Sequence, residues 1–110
     1  MAFKFPVINP LLHNELRLKI MVALDSLESA NFMYLCTIIG CTRGNLSVQI
    51  TTLRNAGYLE VSKSGSGSAS RSVCRITHKG ADALHAYEEG LRKIFTERVP
   101  ESSESQKKMG

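Results

Sequence analysis

Asn45 and Gln49 stand four residues apart in the segment RGNLSVQITTLRN, residues 43–55. Asn and Gln amides can pair with the edge of adenine, arginine with guanine, and a Val or Thr methyl can touch the methyl of thymine. The segment supplies each of these groups, in Asn45, Gln49, Arg43, Arg54, Val48 and Thr52, together with the small Ser47, and it carries no acid. A carboxylate would be repelled by phosphates, so an acid-free polar face suits a nucleic-acid groove. The plainer alternative is a short surface helix that is simply polar.

These groups act together only if one element presents them. Leu46, Ile50 and Leu53 recur at helical spacing and define a buried face. With that stripe turned inward and about 100° per residue, Val48, Thr52, Thr51 and Gly44 point outward. Asn45 and Gln49 then lie on one flank, and Arg43, Ser47 and Arg54 on the other. Thr42 is placed to cap this helix, and Gly57 to stop it.

Other elements flank it. Asn9 and Pro10 are expected to open a first helix, with Leu12, Leu16, Ile20, Ala23 and Leu27 as its inner stripe. Leu18, Met21 and Val22 lie off that stripe, so the helix is apolar on more than one side, as if it had two partners. Asn31 can cap a short helix, FMYLCTII, whose inward residues are Phe32, Leu35 and Ile39 and which Gly40 ends. YLEVSK and RSVCRI alternate as half-buried strands around a Gly/Ser-rich tip, SGSGSAS, and so form a hairpin. Lys63, Arg71 and Arg75 flank the tip and suit phosphate oxygens or the minor groove. Thr77 can cap a long last helix striped by Ala81, Leu84, Tyr87 or Glu88, Leu91, Ile94 or Phe95, then Val99, with Pro100 ending it. Residues 1–8 read as a lead-in, 9–99 as one domain and 100–110 as a polar, disordered tail.

Helix, short helix, tight turn, helix, hairpin, helix is the order of a winged helix-turn-helix. The expected class is mainly α with a small β-hairpin wing (α+β), of the DNA/RNA-binding three-helical bundle type.

Charge agrees with that order. The 110-residue chain has net charge +4 and 43% apolar residues. Residues 29–81 hold six basic residues against the single acid Glu60, a net +5, and the remainder is net −1. A basic middle attracts a polyanion. No apolar run approaches the roughly 18 residues that span a bilayer, and the N-terminus lacks a signal-peptide core, so a cytoplasmic, membrane-free location is expected.

Catalytic and metal chemistry find little support. Cys36, Cys41 and Cys74 are odd in number and irregular in spacing, neither a disulfide framework nor a zinc site. His13, His78 and His85 are scattered, and Glu88-Glu89 reads as a solvated helix face. There is no Gly-rich phosphate loop, nucleophile elbow or working carboxylate pair. We expect no enzyme, no cofactor and no metal. A redox role for Cys41 would need a depressed thiol pKa, for which Arg43 is the nearby help.

GCTRGNLSVQITTLRNAGYLEVSKS resembles the helix-turn-helix and wing of the MarR/ArsR-like winged-helix transcriptional regulators, and specifically their small stand-alone subgroup. INPLLHNELRLKIMVAL is similar to the first helix of that subgroup, and CRITHKGADAL to the start of its last helix. Together the likeness covers roughly residues 8–95. It implies a homodimer that binds double-stranded DNA and regulates transcription, with a repressor as the expected sense. Carried over by position, Thr42, Arg43, Asn45, Ser47, Val48, Gln49 and Thr52 would face DNA, with Arg71 in the wing. The first and last helices would form the dimer, through Leu11, Leu18, Met21, Val22, Tyr87, Leu91, Ile94 and Phe95. The chain departs from the subgroup at the wing, where SGSGSASRS replaces an aromatic and a Gly-Arg-x-Pro-like run, at Cys74, often Tyr, and at Arg43, often acidic or small. A small-molecule effector is left open. Two rival uses also stand: a winged helix for protein–protein contact, and a sequence-blind architectural DNA binder.

Overall fold

Four side chains start four helices. In the computed structural model, which describes residues 4–65 and 71–97, Asn14, Asn31, Thr42 and Thr77 are extended and accept from the amides of Arg17, Tyr34, Asn45 and Gly80. Each satisfies an amide that the first helical turn leaves without a partner. The elements run α1 (Glu15–Leu27), β1 (Ser29–Asn31), α2 (Phe32–Ile39), α3 (Arg43–Asn55), β2 (Leu59–Ser64), β3 (Arg71–Ile76) and α4 (His78–Thr96). The α+β winged-helix class expected from the sequence is the class observed.

The first helix starts later than the sequence suggests. Asn9 Oδ1 accepts from Leu11 N at 2.9 Å, and Asn9 O accepts from Leu12 N and His13 N. This local turn uses the groups that would have capped a helix, so the helix waits for Asn14. Leu12, in the turn, is still fully buried. Within α1 the buried residues are Ile20, Met21 and Leu24, while Leu27 is exposed.

The hairpin also has a third strand. β1 pairs antiparallel with β3, Ala30 opposite Cys74, giving the order β1-β3-β2. Its three residues, between the end of α1 and the cap of α2, are too few to show alternation. Gly40 ends α2 with φ 77°, the left-handed geometry that glycine adopts without a Cβ clash.

The core joins both layers. Leu46 and Leu53 of α3 meet Leu24 and Leu35 from the other helices, with Leu59 and Cys74 from the sheet and Leu84 from α4. Burying a leucine stabilises the fold by about 2 kcal/mol relative to exposure, so α3 is held mainly by its inward stripe. The expected helix end at Val99 and Pro100, the hairpin tip at 66–70 and the tail from 100 onward lie outside the described residues.

Candidate nucleic-acid interface

The outward face of α3 stands where periodicity puts it. Leu46, Ile50 and Leu53 are buried, and Gly44, Asn45, Ser47, Val48 and Thr51 are exposed. Val48 is 60% exposed, an apolar side chain offered to solvent at the middle of the face. Arg43 and Arg54 are exposed near the two ends, and the helix holds no acid. Thr42 spends its hydroxyl oxygen on the cap, and the Thr52 hydroxyl donates to Val48 O at 3.1 Å. Thr52 is half-buried, so its methyl rather than its hydroxyl is the group left for a base.

Gln49 is not a free amide. Arg17 of α1 donates from a terminal guanidinium nitrogen to Gln49 Oε1 at 2.7 Å and from Nε to Leu11 O at 2.6 Å. One lone pair of the Gln49 amide oxygen is thus already in use within the domain. Arg17 lies outside the basic middle of the sequence, 32 positions from Gln49, and no spacing rule links the two.

The far end of α3 is fixed to the hairpin and to α4. Tyr58 N donates to Leu53 O, Thr77 Oγ1 to Gly57 O at 2.6 Å, and Thr77 N to Tyr58 O. Gly57 takes φ 81° at this exit. Gly80, in the first turn of α4, packs so close to the backbone of Tyr58 that a Cβ there would collide with the Tyr58 carbonyl. α3, the base of the hairpin and α4 therefore form one closely packed corner.

The wing's cations divide between its faces. Leu59, Val61, Cys74 and Ile76 share the face turned to the core, and Lys63 follows that face outward along the strand. Arg71 and Arg75 lie on the opposite face. Arg75 stands directly across from Glu60, the one acid of the basic middle, which offsets part of its charge. Lys63, Arg71 and Arg75 are all exposed.

Neither Cys41 nor Cys74 has an activated thiol. Burial pushes the Cys41 thiol up from its ordinary value, and its neighbour Cys36 adds to the shift. Arg43 does not reverse this, which removes the basis for a reactive Cys41. Burial also raises Cys74.

A second, apolar surface lies between α1 and α4. Leu18, Val22, Leu84, Tyr87 and Leu91 line a groove of about 280 Å³ between α1 and α4, rimmed by Asp25 and Glu88. Val22 is 50% exposed, and Leu11, Leu18, Leu91 and Ile94 are half-buried, while Phe95 is exposed. Two residues expected at an interface do not fit that expectation. Met21 is 0% and Tyr87 5% exposed within the single chain, because helical rotation turns Met21 into the core and Tyr87 under α1. Neither has appreciable area left to offer a partner. Among the described residues no helix is long and apolar enough to cross a membrane.

The family profile described as winged helix DNA-binding domain matches residues 16–95. An uncharacterized protein of Methanocaldococcus jannaschii, MJ0432, is 34% identical over 71 residues, spanning 64% of this chain and 77% of that protein. Among solved structures, the transcriptional regulator homologue from Pyrococcus horikoshii OT3 superposes with a TM-score of 0.74 at 27% identity, covering 78% of this chain and 85% of the other. The transcriptional regulator BldR from Sulfolobus solfataricus has a TM-score of 0.64 at 21% identity, covering 87% of this chain and 70% of its own, a likeness of fold.

Proposed function

The chain belongs to the winged helix DNA-binding domain family, and from that premise we propose that it is a sequence-specific, cytoplasmic transcriptional regulator that binds operator DNA as a homodimer and acts as a repressor. The carrying observation is the exposed, acid-free face of α3, with Val48 at its centre and Arg43 and Arg54 near its ends. α3 enters the major groove. Asn45, Val48 and the Thr52 methyl read base edges, and the short Ser47 and Gly44 let the backbone approach closely. Arg43, Arg54, Lys63, Arg71 and Arg75 meet phosphates or the minor groove beside the wing, which makes affinity fall as salt rises.

The α1–α4 groove supports the dimer. Leu18, Val22, Leu91 and the exposed Phe95 give an apolar strip on α1 and α4, separate from the residues of the α3 face. Two copies joined there would carry two recognition helices to half-sites about 34 Å apart. A dimer seated so denies the same stretch of DNA to the transcription machinery, which is repression by occupancy.

The double variant Val48→Glu, Asn45→Ala tests the reading. Both side chains are exposed, so folding is retained. DNA affinity should drop at least about tenfold, because a carboxylate is set against phosphates and a base contact is lost. Folding and affinity both intact would show that α3 is not the recognition helix.

A further inference from the structure

A helix seated in the major groove runs between two phosphate backbones, in a channel about 12 Å wide, so both of its flanks face anions. The cations that α3 carries itself serve one flank. Counted from Val48 at about 100° per residue, Arg43 and Arg54 fall to one side, and Asn45 and Gln49 to the other. Residues 43–55 hold no other lysine or arginine, so the flank of Asn45 and Gln49 has no charge of its own.

Arg17 supplies one from α1. A terminal nitrogen of its guanidinium lies 2.7 Å from Gln49 Oε1, which sets the charge against that flank. Its Nε donates to Leu11 O at 2.6 Å, so the long side chain is held at two points before DNA arrives. Both acceptors are neutral. Glu15, the nearest acid in sequence, is paired with Lys19 at 2.9 Å. Among the described residues no carboxylate pairs with Arg17. A guanidinium has five N–H donors, and within the described residues two of them find acceptors. Arg17 is half-buried, so its charge is still within reach of solvent. An arginine that is ordered in advance and has donors to spare suits a phosphate, and loses little side-chain freedom on binding one.

We propose that Arg17 is a DNA-contacting residue: it grips a backbone phosphate on the groove wall opposite the one met by Arg43 and Arg54, so that cations hold α3 on both flanks. The inference rests on the reading that α3 enters the major groove. It adds a contact from outside the basic middle of the chain and from outside the helix-turn-helix. Leu11 and Gln49 set where the guanidinium sits.

Salt titration of DNA binding tests it. The slope of log affinity against log salt concentration counts the phosphates neutralised, at about 0.9 per contact on B-DNA. With the full chain and a duplex carrying the site it selects, Arg17→Gln should make that slope shallower by about 0.9 per bound copy and leave the base motif unchanged. Arg17→Lys keeps the charge and should keep the slope. Circular dichroism checks folding. A folded Arg17→Gln protein with the wild-type slope overturns the proposal, even where its affinity falls. A bond that merely braces α3 against α1 would change affinity without changing the number of phosphates met. If Arg17→Gln does not fold, the wild-type chain is titrated on duplexes with single neutral methylphosphonate linkages. Losses of affinity at linkages on both groove walls beside α3 are expected, and losses on one wall alone overturn the proposal. A wild-type chain that binds no duplex DNA overturns the groove reading as well, and differs from the other outcomes in leaving no slope to compare.

Discussion

His13 Nδ1 lies 2.8 Å from the hydroxyl of Tyr87, 74 positions further along the chain. Their rings are tilted at 46° with centroids 6.0 Å apart. A second bond, from Asn9 Nδ2 to the Tyr58 hydroxyl at 2.8 Å, ties the same segment to the base of the wing. Further along α4, a Cβ on Gly90 would come within 3.3 Å of Ile8 Cγ2, so the segment lies closely over that helix. Ile8, Asn9 and His13, ahead of α1, thus pack onto the domain. They hold the turn from which Leu11 anchors Arg17, and through Arg17 the amide of Gln49.

Tyr87→Phe removes the hydroxyl and leaves the ring in place. The loss should be about 1 kcal/mol of folding stability, the net value of one intramolecular hydrogen bond. Urea unfolding measures it as a lower midpoint at unchanged slope. An unchanged midpoint would mean that the contact with the exposed His13 is replaced by water without cost.

Gly80→Ala opposes two effects. Alanine favours the helix by up to about 1 kcal/mol over glycine. At this position its Cβ meets the Tyr58 carbonyl, and the corner between α3, the wing and α4 must open. Overpacking of this kind costs about 1–3 kcal/mol, and backbone as the obstacle puts the expectation at the upper end. Net destabilisation in urea is the expected result. A variant as stable as the wild type would show that the corner yields easily.

Stability should also decline in alkali. Burial holds the thiols of Cys41 and Cys74 protonated to higher pH in the folded chain than in the unfolded one. Above the ordinary thiol value of 9.0 the unfolded chain therefore binds fewer protons, and stability falls as pH rises. Between about pH 6 and 8 neither thiol contributes a slope. Unfolding midpoints compared for the wild type and Cys74→Ala across the alkaline range should show a shallower decline in the variant. Equal slopes would contradict a raised Cys74.

The local signals were legible and the long-range ones were not. Asn31, Thr42 and Thr77 announce their helices because each cap sits directly before a periodic run. Leu46, Ile50 and Leu53 give the orientation of α3, and hence its exposed face, by spacing alone. β2 and β3 show through their alternation. β1 is invisible because three residues cannot show a period, and its pairing depends on where α1 ends. Asn9 misleads because Asn followed by Pro opens a turn as readily as a helix. Met21 lies off the α1 stripe on a helical wheel and Tyr87 on the α4 stripe, yet the core is filled from several directions at once and claims both. The Arg17–Gln49 bond joins residues on different helices, and nothing in either local pattern encodes it.

The central claim is that α3 reads a specific DNA sequence twice, once from each copy of a dimer. Selection of bound fragments from sheared genomic DNA of the source organism, at near-physiological salt, tests it directly. Enrichment of a two-fold symmetric motif, with affinity falling linearly in the logarithm of salt concentration, is the predicted result. Retention without a motif that added salt abolishes, or no retention at all, would contradict it.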